Sequence, residues 1–182
     1  MSKFLLLILV VISSCANLPS SQEETKSQGL LDTHRIQDTT KSENGWYYAK
    51  STNGHFSIEL PIPFNDFTLT TDSAKIYGIG SKSQEGIKFS IIEKTNQKQK
   101  DLDQIINDLK EPGKVISNIK KEKNNDFSSL YYKIKDSKAG CYTKILFKDN
   151  HSYDIIIEYP IEHEATVDEL KDYFFSTFKL NN

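Results

Sequence analysis

The residues best suited to chemistry are few: two cysteines, Cys15 and Cys141, and four histidines. Cys141 is a candidate nucleophile with His151 as its base. If residues 141–148 and 152–159 are the two strands of a hairpin, however, His151 lies at the loop and Cys141 at the far strand end. That separates them by roughly 25 Å. No dyad forms across such a distance, and Cys141 is expected to be a small buried hydrophobe. His55 and His163 are further partners, but nothing in the sequence places either beside the thiol.

Metal chemistry needs converging donors. Glu158, Glu162, His163 and Glu164 gather around Pro160, and an imidazole with carboxylates suits zinc or calcium. Their spacing matches no ligand pattern, so the expectation is a solvated acidic loop with no metal and no other cofactor. Gly78 and Gly80 are too few for a phosphate loop and read as the end of a strand entering a turn. There is no G-x-S-x-G, H-E-x-x-H or paired-carboxylate signature, and the chain is not expected to be an enzyme. With a net charge of −2 and lysines scattered among acids, no nucleic-acid footprint is present.

Several elements must carry these residues. The chain opens with Lys3 and the apolar run from Phe4 to Ile12, then Ser13-Ser14-Cys15. Nine helical residues rise roughly 14 Å, about half a hydrocarbon core, so the run is a signal peptide and not a membrane span. Ile12-Ser13-Ser14-Cys15 resembles the bacterial lipobox. That resemblance implies cleavage after Ser14, thioether lipidation of Cys15 and acylation of the new amino terminus. Ala16 in the following position favours, by the same resemblance, the outer membrane of a Gram-negative cell and a domain facing the periplasm. The mature chain then holds a single thiol and forms no internal disulfide.

Residues 15–44 comprise the lipidated cysteine and a segment rich in Ser, Gln, Thr, Lys and Glu with no aromatic residue. Such composition buries too little to offset chain entropy, which predicts a flexible tether with a reach of about 30 Å. From residue 45 to 182 the texture is that of one folded domain. Strands are predicted at Trp46–Lys50, Gly54–Leu60, Lys75–Ile79, Ile87–Glu93, Val115–Lys121, Leu130–Lys135, Cys141–Lys148 and Ser152–Tyr159. Helices are predicted over Asp101–Lys110, with Leu102, Ile105, Ile106 and Leu109 on one face, and from Thr166 to about Thr177, with Val167, Leu170 and Phe174. In the last hairpin a three-residue loop, Asp149-Asn150-His151, pairs Phe147 with Tyr153 and Cys141 with Tyr159 on one apolar face. A two-residue loop would mix the faces, so the longer loop is expected. The whole is an α+β domain, a mostly antiparallel sheet packed with helices.

The stretch Gly54-His55-Phe56-Ser57-Ile58-Glu59-Leu60-Pro61 resembles the opening strand of PsbP-like domains, and Tyr173-Phe174-Phe175-Ser176-Thr177-Phe178 resembles their closing helix. The resemblance spans residues 46–180 and extends to DcrB-type envelope lipoproteins. It implies a PsbP-like sandwich and an accessory role in binding or assembling other proteins. The expected function is therefore that of a non-catalytic, membrane-anchored envelope lipoprotein with a protein partner, for which Trp46, Tyr47 and Tyr48 are candidate contact residues. Binding of a small ligand or metal, or inhibition of a toxin in the manner of an immunity protein, are the alternatives.

Overall fold

The structure is a computed structural model and describes residues 30–34, 40–70, 75–96 and 101–181. The leader and Cys15 lie outside these residues. Among the described residues, eleven strands form two antiparallel sheets. The larger runs in the order β1 (Leu30–His34), β4 (Asn65–Thr70), β5 (Lys75–Lys82), β6 (Lys88–Lys94), β10 (His151–Pro160), β9 (Ala139–Lys148), β8 (Ser128–Lys135) and β7 (Val115–Lys123). The smaller contains β11 (Lys179–Leu180), β3 (Phe56–Leu60) and β2 (Tyr47–Lys50). Helix α1 (Leu102–Asp108) follows β6, and α2 (Glu164–Thr177) follows a single 3₁₀ turn, Ile161–His163. The α+β, mostly antiparallel class expected from the sequence is what forms.

Each element follows from local chemistry. The Asp101 carboxylate accepts hydrogen bonds from the backbone N–H groups of Asp103 and Gln104, capping α1. Helix α2 buries Val167, Phe174 and Phe175. These meet Phe56, Ile58 and Leu60 of the small sheet, and Phe89, Ile91, Tyr153, Ile155 and Ile157 of the large one, in one core. A second core lies on the other face of the large sheet, where Ile106 of α1 covers Leu130 and Tyr132, with Ile134 and Ile145 beside them. Among the described residues no helix is long and apolar enough to cross a membrane.

Three expectations are corrected. The first is the hairpin: Ser152 lies opposite Phe147, Tyr153 opposite Leu146 and Glu158 opposite Cys141, so the loop is the two residues Asp149 and Asn150. Asp149 takes a left-handed φ of +53° at its first position. The rejected register holds because β9 carries apolar residues on both faces, with Tyr142 and Leu146 in the main core and Ile145 beside the α1 cluster. One apolar face per strand was therefore the wrong criterion.

The second concerns the glycines. Gly78 and Gly80 lie inside β5. A Cβ on Gly78 would stand 2.1 Å from the Phe67 ring, so the missing side chain makes room for that aromatic on the neighbouring strand. The third concerns the tether, since Leu30–His34 is an edge strand in register with β4, from Leu30 opposite Thr70 to His34 opposite Asp66. Strand β4 itself was not anticipated.

Candidate metal centre

The site is assembled from three separate parts of the chain. Glu93 stands near the end of β6, on the face that packs into the main core, and is fully buried. Antiparallel pairing sets it between Tyr77 of β5 and Tyr153 of β10. His151 is the first residue of β10, paired with Lys148 across the two-residue turn. It lies two positions from Tyr153 and hence on the same face, with the two rings stacked at 6.2 Å between centroids. His55 comes from the loop between β2 and β3. The hydrogen bond from the Gly54 N–H to the Ser51 carbonyl closes that loop at 2.8 Å, and Gly54 supplies the φ of +78° the turn needs.

The three side chains converge on one carboxylate oxygen. Nδ1 of His55 is 2.7 Å from Oε1 of Glu93, and Nε2 of His151 is 3.7 Å from the same atom. The imidazole rings stand edge to face, 5.6 Å apart. His55 and His151 are 48% and 31% exposed and form the rim, while Glu93, at 0%, forms the floor. The other carboxylate oxygen, Oε2, accepts a hydrogen bond of 2.7 Å from Nδ2 of Asn53. Burial and then the charge of Glu93 push the Tyr153 phenol up to about 12, so it stays a neutral neighbour.

A charge at zero exposure is costly unless it is paired or bound to a cation. Two imidazoles and one carboxylate are a donor set for zinc and related first-row ions. Ligand atoms ~2.1 Å from a tetrahedral ion stand about 3.4 Å from each other. The observed 2.7 and 3.7 Å straddle that edge, and all three donor atoms lie within 4.8 Å of one another. This is the one such group of three among the described residues.

The residues singled out in the sequence go elsewhere. Cys141 faces the α1 side of the sheet, its Sγ 3.3 Å from Oγ1 of Thr143, at the opposite end of the hairpin from His151. Burial pushes its thiol up to about 12. Glu158 pairs with Lys88 at 3.7 Å. The Glu164 carboxyl is held below the usual range by hydrogen bonds from Lys133 and Lys135, which tie the start of α2 to β8. Among the described residues Glu158, Glu162, His163 and Glu164 form no group of donors close enough to hold one ion. Trp46 packs edge-on against Tyr173 at 4.8 Å, and Tyr47 lies beneath Lys41 at 4.9 Å. Tyr48, 40% exposed, is the outward member of that trio.

A signal for this cluster is present in the sequence. Ile87, Phe89 and Ile91 make an apolar stripe that ends in Glu93, and Tyr159, Ile157, Ile155 and Tyr153 make one that ends in His151. Titratable groups finishing two buried stripes mark a polar cluster at the sheet end. Their meeting depends on β6 pairing with β10, which periodicity cannot supply.

No known family profile and no curated protein matches the chain. Among solved structures the chain is similar to the solution structure of cyanobacterial PsbP (CyanoP) from Synechocystis sp. PCC 6803. The alignment has 10% identity and a TM-score of 0.34 and covers 90% of this chain and 99% of that one.

Proposed function

We propose that this protein is a lipid-anchored envelope protein whose domain binds a divalent transition-metal ion through His55, Glu93 and His151. One observation carries the metal reading. A fully buried carboxylate presents a single oxygen to two imidazole nitrogens that come from different elements and open toward solvent. A purely structural carboxylate would be satisfied by Asn53 and one histidine, and the second imidazole at its rim supplies what a metal site needs. The membrane anchor rests on the likeness of residues 12–15 to a lipobox.

A protein-binding accessory role has its own observation: β7 is an edge strand with exposed Val115 and Ile119. That edge also carries Lys120, Lys121 and Lys123 and a break in register between Ser117 and Lys120, features that blunt strand addition. The metal reading therefore stands first.

Equilibrium dialysis of the full chain in detergent, without a polyhistidine tag, tests it. One zinc ion per chain is expected, with at least a tenfold loss of affinity in His151→Ala. Equal binding by the variant would reject the site.

A further inference from the structure

Glu93 offers its two oxygens to different partners, and that division bears on which ion the site takes. Oε1 faces both histidines, whereas Oε2 is occupied by Nδ2 of Asn53 at 2.7 Å. The carboxylate is fully buried, so while Asn53 is in place the amide is the partner of Oε2. The orientation of the Asn53 amide is fixed in turn. Its Oδ1 accepts from the backbone N–H of His55 at 3.2 Å, which leaves the NH₂ group directed at Glu93. The loop is anchored on both sides. Thr52 donates to the buried Asp66 at 2.8 Å, and Asn181 reaches the Gly54 carbonyl through its amide at 2.9 Å and the His55 carbonyl through its backbone N–H at 2.8 Å.

We propose that Asn53 is a positioning residue that restricts Glu93 to single-oxygen coordination and thereby makes the site select small, nitrogen-preferring four-coordinate ions of the zinc class over oxygen-seeking ions such as manganese and calcium. This rests on the metal-binding reading above. With Oε2 held by Asn53, the protein supplies two nitrogens and one oxygen, and the exposed rim leaves room for one solvent ligand. Four donors complete a tetrahedral zinc site. Calcium takes six to eight oxygens, and octahedral manganese also favours carboxylate and water, so a two-oxygen Glu93 would serve those ions better.

The test uses the full chain in detergent, wild type beside Asn53→Ala and Asn53→Asp. The aspartate variant keeps an acceptor for the His55 N–H while replacing the donor to Oε2 with a second carboxylate, and it carries the test if Asn53→Ala fails to fold. Competitive titration gives the zinc and manganese affinities, and cobalt(II) absorption reports coordination number. Zinc affinity is expected to fall about 10–100-fold, the range for loss of an outer partner of a ligand. Manganese affinity should hold or rise, and the intense tetrahedral cobalt bands should give way to the weak spectrum of higher coordination. Equal weakening of zinc and manganese with an unchanged cobalt spectrum would reduce Asn53 to a structural role and overturn the inference, as would no change in either ion. A wild-type chain that binds no zinc would overturn the metal reading itself, an outcome distinct from failure of the Asn53 assignment.

Discussion

Nδ1 of His55 and Oε1 of Glu93 are 2.7 Å apart although thirty-eight residues separate them in the chain. The contact joins the two sheets, since His55 leads into β3 of the small one while Glu93 belongs to β6 of the large one. An ionised carboxylate only accepts, so in the metal-free protein the imidazole N–H donates and an arriving ion takes the place of that proton. In the proposed site, metal binding would therefore be coupled to the docking of the two sheets.

Glu93→Gln separates these roles. The amide keeps a hydrogen-bonding group against Asn53 but removes the charge, so metal-free stability should stay within about 1.5 kcal/mol of wild type. Zinc at a hundred times its dissociation constant stabilises a binder by about 2.7 kcal/mol. Melting curves with and without zinc should show a rise of several degrees for the wild type and none for Glu93→Gln. An equal rise in both would contradict the assignment of Glu93 as a ligand.

Cys141 should be inert while the domain is folded. Burial raises its thiol pKa to about 12. The neutral form therefore dominates at pH 8, and the reactive thiolate appears only as pH climbs toward that value. A thiol reagent at pH 8 should label the unfolded protein fast and the native protein orders of magnitude more slowly. Rapid native labelling would show that the strand end is open.

The proposed lipid on Cys15 gives a separate expectation. Each buried methylene contributes ~0.8 kcal/mol, so a multiply acylated chain stays in the membrane. Cys15→Ala should move the protein into the soluble fraction of lysed cells. Firm membrane association of that variant would contradict the anchor.

Much of the fold was legible because strand alternation and helix spacing are local. The buried face of Val167 and Phe174 and the strands from Val115 onward were placed within a few residues from pattern alone. The strand Asn65–Thr70 escaped notice because only Phe67 and Leu69 mark it, just after Pro61 and Pro63. The hairpin register escaped for a deeper reason. Choosing the loop by one apolar face assumes that the other face is wet, yet Ile145 packs with the α1 cluster while Leu146 and Tyr142 lie in the main core. That slip also hid the site. A three-residue loop leaves His151 in the turn, whereas the true two-residue loop makes it a strand residue beside Glu93. Even with the right loop, the β6–β10 pairing joins residues at least fifty-eight apart in the chain and carries no local mark.

The most direct test is a crystal of the protein grown with zinc and measured on either side of the zinc absorption edge. One anomalous peak is predicted, ~2.0–2.2 Å from Nδ1 of His55, Nε2 of His151 and one oxygen of Glu93. A map with no peak there, with His55 still hydrogen-bonded to Glu93, would contradict the metal centre and leave the pair as a structural clasp between the sheets.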